Sequence, residues 1–155
     1  MILMILSVFR GFGYALKGIF RTVREERNFR IHLVAVGLVI WFSFLYEVTV
    51  GQALMLLIFC TVVLSLELLN TAVERAVDLI SPQRHPLAEK AKDAAAGAVL
   101  IAAIGSVIGA ALLFRDPAHW SLVLEKMSSP VRIVCFVAFV LLALFFVKGR
   151  KSSRK

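Results

Sequence analysis

The stretch CTVVLSLELLNTAVERAVDLISP, residues 60–82, reads as an apolar helix from which a polar stripe emerges. Asn70, Glu74 and Asp78 follow Glu67 at offsets of 3, 7 and 11. At ~100° per residue, those offsets put all four on one helical face, within roughly 80° of arc. Glu67 closes a run, residues 48–66, that contains no charged residue. A carboxylate at that depth needs a partner, a proton, a metal or a function. Three carboxylates on one stripe repel one another unless positive charge stands between them. A divalent cation carrying phosphates meets that requirement and points to phosphoryl transfer at a membrane surface.

The surroundings agree with a membrane setting. Hydrophobic residues make up 60% of the chain and the mean hydropathy is +0.87, which excludes an ordinary soluble domain. At 155 residues the chain is one small unit, too short for a membrane domain plus a separate soluble enzyme. Four apolar segments stand out: residues 31–50 (broken near the end by Glu47), 52–71, 94–114 and 133–147. A ~30 Å hydrocarbon core asks for about 20 residues of helix, so the fourth, with 15, is short. The expected fold is an all-α membrane protein.

Charge placement sets the orientation. Arg10, Lys17, Arg21, Arg24, Arg27 and Arg30 precede the first span. Arg75, Arg84, Lys90 and Lys92 lie between the second and third, and a basic tail from Lys148 closes the chain. The positive-inside rule puts the N-terminus, the 75–93 connection and the tail in the cytoplasm, with four spans and both termini inside. The net charge of +8 suits anionic lipid headgroups and nucleotide phosphates better than nucleic acid. Cys60 and Cys135 fall inside apolar spans without framework spacing, which reads as two free, buried thiols acting as small hydrophobes. The apolar start, MILMILSVF, has no preceding positive residue and no small-residue cleavage site, so no cleaved signal peptide is expected.

Three regions follow: 1–30, 31–114 and 115–155. Residues 1–30 read as an amphipathic surface helix, with Phe9, Phe12, Leu16, Ile19, Phe20 and Val23 at helical spacing among basic residues. It serves as an interfacial anchor, or it brings basic groups to a phosphate site. The segment SPQRHPLAEK, residues 81–90, ends one helix, and the next is expected from Ala91, Lys92 and Asp93. Its small residues, Ala94, Ala98, Ala102, Gly105 and Gly109, permit close helix contact. Such packing also sets Lys92 and Asp93 beside the stripe. Asp116, Pro117, Ala118, His119 and Trp120 read as an external turn, with the last two at the interface.

Phosphoryl transfer to a lipid hydroxyl needs a base, a metal and cations for the phosphates. Magnesium takes one or two carboxylates and completes its shell with water and phosphate oxygens, a role open to Glu26 and Glu74. Glu67 lies ~10 Å deeper than Glu74, a depth at which a base meets a lipid hydroxyl. Lys92 can hold phosphate oxygens. Neither a Walker A loop nor a protein-kinase glycine loop occurs, so kinase chemistry here uses another scaffold. Plainer readings stand beside these. Glu74 and Arg75 read equally as interfacial charges, Asp78 as a helix-end carboxylate, Glu67 with Asn70 as an interhelical hydrogen-bonded pair, and His32 as a lipid-facing or headgroup contact. A small transporter would use intramembrane carboxylates too, but it predicts polar residues through the depth of several spans. A structural assembly protein has no use for Glu26, Glu74 and Lys92 at one surface.

ELLNTAVERAVD (67–78) followed by AEKAKDAAAGAVLIA (88–102) resembles the signature of the bacterial membrane diacylglycerol kinase and undecaprenol kinase family. FGYALKGIFRTVREERNFRIH resembles that family's amphipathic helix and acidic turn, so the likeness covers residues ~10–114. The resemblance implies a surface helix with three transmembrane helices in the bacterial inner membrane, to which this chain adds a fourth, C-terminal span. It implies a homotrimer with active sites shared between subunits, using ATP and Mg2+. It implies Glu67 as catalytic base and substrate contact, and Glu26 and Glu74 as metal and nucleotide ligands. Asn70 and Asp78 fall on the motif's supporting polar positions. Tyr14, Gln83, Arg84, His85, Lys92 and Asp93 fall on nucleotide-contacting positions. A lipid-contacting arginine is implied near Ser7, and the nearest here is Arg10. RNFRIHL and PLAEKAKDAAAGAV resemble the undecaprenol kinase branch, which implies phosphorylation of undecaprenol to undecaprenyl phosphate. The diacylglycerol branch implies phosphatidic acid by the same mechanism.

Overall fold

The structure, a computed structural model, describes the backbone of residues 2–149 and the side chains of residues 9–149. The basic tail beyond Gly149 and the side chain of Ser7 lie outside the described residues. Six helices account for nearly all of the rest: α1 (Ile2–Glu25), α2 (Arg27–Tyr46), α3 (Val50–Ile80), α4 (Pro86–Leu113), α5 (Pro117–Met127) and α6 (Pro130–Lys148).

Four of them, α2, α3, α4 and α6, are long and apolar enough to cross a membrane. In none is more than 22% of the apolar stretch buried within the chain. The remaining apolar surface must meet lipid or other chains, since water would charge about 25 cal/mol for each exposed Å². The 31 residues of α3 extend about 46 Å, well past a ~30 Å hydrocarbon core. Glu67, seventeen residues from the start of α3, therefore lies about 26 Å along it, near one edge of that core. Asn70, Glu74 and Asp78 continue beyond.

The helix starts follow local chemistry. A reciprocal capping box opens α3: the Gln52 N–H donates to Thr49 Oγ1 at 3.3 Å, and the Thr49 N–H donates to Gln52 Oε1 at 2.8 Å. Pro86 occupies the first turn of α4, where the Leu87 N–H donates to His85 Nδ1 at 3.2 Å. That starts α4 five residues before Ala91, so the connection is 81–85 and not 81–90. The expected external turn is also corrected. Asp116 caps α5 by accepting from the Ala118 N–H at 3.0 Å, and Pro117 fits its first turn. At the other end of the chain, helix does not run unbroken through residue 30. Glu26 alone is non-helical, and Arg27 through Arg30 belong to α2.

α3 and α4 form the tightest pair. A Cβ at Gly109 would fall well inside van der Waals contact with the Phe59 ring, so glycine permits the approach. Gly105 of the same small-residue stripe faces open space. α2 packs along α3, and its other flank carries α5 and α6. A Cβ at Gly37 would come within 2.9 Å of the Phe139 ring of α6. Cys135 is exposed along α6, not buried as expected, and Cys60 is partly buried; both are free.

α5 joins the far ends of α2 and α4 through an aromatic cluster. Tyr46 is buried, stacks on His119 with centroids 4.8 Å apart, and meets the Phe114 ring edge-on at 5.0 Å. Trp120 Nε1 donates to the Phe114 carbonyl at 2.6 Å. Beside them Glu47 ends α2 in the left-handed region (φ 57°), a conformation costing about 1–3 kcal/mol outside glycine. Lys126 holds it there, 2.5 Å from Glu47 Oε1 and 3.0 Å from the Leu45 carbonyl.

Candidate active site

The site is assembled where α1 turns into α2 against the emerging end of α3. Two arginines pin that elbow. Arg30 is buried, and its Nη1 donates to the carbonyls of Val23 and Arg24, both at 3.1 Å, satisfying free acceptors at the end of α1. From α3, Arg75 Nη2 lies 2.9 Å from Glu25 Oε2 and 3.4 Å from Glu26 Oε1. Glu26 caps α2 by position only, since its side chain makes no capping bond.

Along the stripe, Glu67 is only 4% exposed. It is within electrostatic reach of His32, Glu74 and Glu26. One turn on, the buried Asn70 donates through Nδ2 to Glu74 Oε1 at 3.0 Å. Its Oδ1 is buried with no donor among the described residues, a costly state unless a further group or a water donates to it. Thr71 donates to the Glu67 carbonyl at 3.0 Å and helps to seal the inner face. Further out, Asp78 pairs with Lys92 of α4. These two line a polar cleft of about 220 Å³ together with Gln83, Arg84 and His85.

An apolar cleft of similar volume, about 220 Å³, runs inward from this end between α2, α3 and α4. His32, Val36, Cys60, Val63, Leu64 and Ser106 are among its walls. Val63 and Leu64 lie one turn before Glu67, so the cleft leads away from the buried carboxylate into the apolar depth. A second cavity of about 550 Å³, between α2 and α3, reaches Glu47 at the opposite end. His32 thus lies at the junction of carboxylate and cleft. No sequence signal marks this, because a histidine at the start of a span looks the same whether it faces lipid or α3.

The single chain gathers Glu26, Glu67, Asn70 and Glu74, with Asp78, Lys92, Gln83, Arg84 and His85 adjoining. It leaves three expected residues aside. Tyr14 is exposed, with Lys17 Nζ 5.9 Å from its ring centroid. Arg10 and Asp93 are exposed and line none of these cavities. No group of three or more His, Cys, Asp or Glu among the described residues encloses a metal. The donors available are oxygens, the carboxylates of Glu26 and Glu74, with Asn70 bonded to the latter. This set fits magnesium, which is content with few protein ligands when phosphate and water supply the rest.

The family model for prokaryotic diacylglycerol kinase matches residues 13–114, ending where α4 ends. The chain is similar to an undecaprenol kinase of Bacillus subtilis (strain 168), 45% identical over 106 residues, covering 68% of this chain and 86% of the relative. It is similar to a diacylglycerol kinase of Synechocystis sp., 44% identical over 108 residues, covering 68% of this chain and 61% of that protein. A diacylglycerol kinase of Pseudomonas aeruginosa is 37% identical over 90 residues, covering 58% of this chain and 73% of the relative.

Proposed function

We propose, from the premise that this chain belongs to the prokaryotic diacylglycerol kinase family and is a lipid kinase, that it transfers the γ-phosphoryl group of ATP to the hydroxyl of undecaprenol. The observation that carries this reading is the depth relation on α3. Glu67 is buried one helical turn beyond Val63 and Leu64, which line an apolar cleft, and Glu74 stands two turns outward, one turn before Asp78 of the Asp78–Lys92 cleft. A water-insoluble acceptor and a water-soluble donor can therefore approach one carboxylate from opposite sides.

In this reading the acceptor lies in the cleft with its hydroxyl against Glu67. The carboxylate takes the hydroxyl proton as the oxygen bonds to the γ-phosphorus, and the bond to the ADP oxygen breaks. Asn70 holds Glu74 in place through its amide. Glu26 and Glu74 are the ligands for Mg2+, which when bound neutralises phosphate charge. Lys92, released from or shared with Asp78, faces phosphate oxygens, and Gln83, Arg84 and His85 border the same cleft.

Tyr14, Arg10 and Asp93 stand apart within one chain, which favours a homotrimer whose neighbouring subunits complete the site. The exposed apolar face of α1 and its basic residues fit a helix lying on anionic headgroups. Basic residues at the α1, α3–α4 and α6 ends favour a multi-pass protein of the bacterial inner membrane with both termini in the cytoplasm.

Undecaprenol is favoured over diacylglycerol by the 45% identity with the Bacillus subtilis undecaprenol kinase. Diacylglycerol, phosphorylated to phosphatidic acid, is the second reading, favoured by the 44% identity with the Synechocystis sp. enzyme. The deciding experiment offers both lipids side by side to the purified protein in micelles with ATP and magnesium. Faster phosphorylation of undecaprenol supports the first reading, and faster phosphorylation of diacylglycerol replaces it with the second. Turnover of neither, with nucleotide binding intact, removes both.

A further inference from the structure

Arg75 directly follows Glu74, yet it faces the elbow and not the stripe. Its Nη2 reaches the last residue of α1, Glu25, at 2.9 Å and the single linking residue, Glu26, at 3.4 Å. The guanidinium and both carboxylates keep part of their surface in solvent, with the Arg75 side chain 42% exposed and that of Glu26 25%. The pairs are therefore neither sealed nor rigid, and the longer contact, to Glu26, is the weaker of the two. Glu26 spends its carboxylate on Arg75 and not on the free N–H groups at the start of α2.

A cation on Glu26 competes with any second cation for the same oxygens. Glu74, whose Oε1 accepts from Asn70, adds a second carboxylate to the same end of α3. A guanidinium fork can hold one carboxylate at one edge while presenting its other N–H groups elsewhere. We infer that Arg75 is a positioning residue that occupies Glu26 while the site is free, and passes from Glu26 to the nucleotide's phosphate oxygens when the metal–nucleotide engages that carboxylate. Glu25 retains the guanidinium throughout. This rests on the assignment of Glu26 as a metal ligand made above.

The test uses the full chain in lipid nanodiscs. Mn2+ alone is titrated by electron paramagnetic resonance, and the magnesium complex of a non-hydrolysable ATP analogue is titrated by calorimetry. The inference expects opposite shifts in Arg75→Ala. Mn2+ alone binds several-fold more tightly once its competitor is gone, and the nucleotide complex binds about tenfold more weakly once a charge-assisted contact is lost. Arg75→Lys regains part of the nucleotide affinity. Parallel weakening of both, the mark of a merely structural role, overturns the inference, and so does no change in either. Glu26→Gln separates the two levels. If it leaves Mn2+ binding untouched, the ligand assignment itself fails. If it weakens Mn2+ binding while Arg75→Ala shifts nothing, only the role of Arg75 is lost.

Discussion

The hydroxyl of Tyr46 is bonded to both backbone groups of Asp116: it accepts from the N–H at 3.0 Å and donates to the carbonyl at 3.3 Å. Seventy residues separate the two positions, and this pair fixes the end of α2 to the start of α5. Tyr46→Phe keeps the ring in its cluster and removes both bonds. Asp116 is exposed, so its backbone groups can turn to water and the loss of these part-buried bonds costs about 0.5–1.5 kcal/mol. A lowered thermal midpoint in detergent, with kinase activity per folded molecule retained at the assay temperature, is the expected result.

The same end of the molecule carries a pH signature. The hydrogen bond and charge of Lys126 hold the Glu47 carboxyl below its ordinary 4.5. The Ala118 N–H, then His119, hold the Asp116 carboxyl below its ordinary 3.8. A carboxyl whose value falls on folding stabilises the fold above its unfolded value, and that contribution is lost as pH falls through the folded one. Stability should therefore be level above 4.5 in this respect and decline below it. Unfolding midpoints measured in acid should fall less steeply in Glu47→Gln than in the unaltered protein.

Two adjacent turns of α3 should give different kinetic losses. Glu67→Gln removes the proposed base without changing size, and turnover should fall by at least about 10²-fold, the usual contribution of a general base, with nucleotide binding retained. Glu74→Gln should instead raise the nucleotide-magnesium requirement about tenfold, as expected for one lost charge-assisted contact. Steady-state kinetics with calorimetric nucleotide binding separates them. Normal turnover in Glu67→Gln would refute the base assignment.

His32 stands where Glu67 meets the apolar cleft. His32→Ala should raise the lipid KM several-fold, the scale of one polar contact, while leaving the ATP KM unchanged. A shift in the ATP KM alone would show that His32 serves the nucleotide and not the acceptor.

Gly109 and Gly105 provide a matched pair on α4. Gly109→Ala drives a methyl group into Phe59, an overpacking expected to cost about 1–3 kcal/mol. Gly105→Ala meets nothing within 4 Å and should be neutral, or stabilising by about 0.5–1 kcal/mol through helix propensity. Thermal unfolding of the two variants in one detergent tests the comparison.

How much of this was legible in the sequence depends on how local the signal is. The spans show themselves because apolar length is a property of each segment alone, and the stripe shows itself because helical periodicity fixes its face. The break at Glu26 shows in the resemblance to an acidic turn but not in the local pattern, since glutamate is not a preferred cap and the pattern looks helical on both sides. Asp116–Pro117 signals a turn and a helix start equally well, which is why α5 was not expected. Close α3–α4 packing, expected from the small residues, brings Lys92 to Asp78 but leaves Asp93 exposed. The places of His32 and Arg75 depend on which flank of α2 meets α3 and how α1 bends back, and neither is encoded in a short window.

The linker between α1 and α2 is one residue long. A helix of 24 residues measures about 36 Å, and one of 20 about 30 Å, so Glu26 is a fulcrum between two long, stiff arms. Arg30, bonded to the Val23 and Arg24 carbonyls, and Arg75, reaching Glu25 and Glu26, hold that joint from two sides. The carboxylate proposed to meet the metal thus stands on the single residue where the surface helix and the first span join.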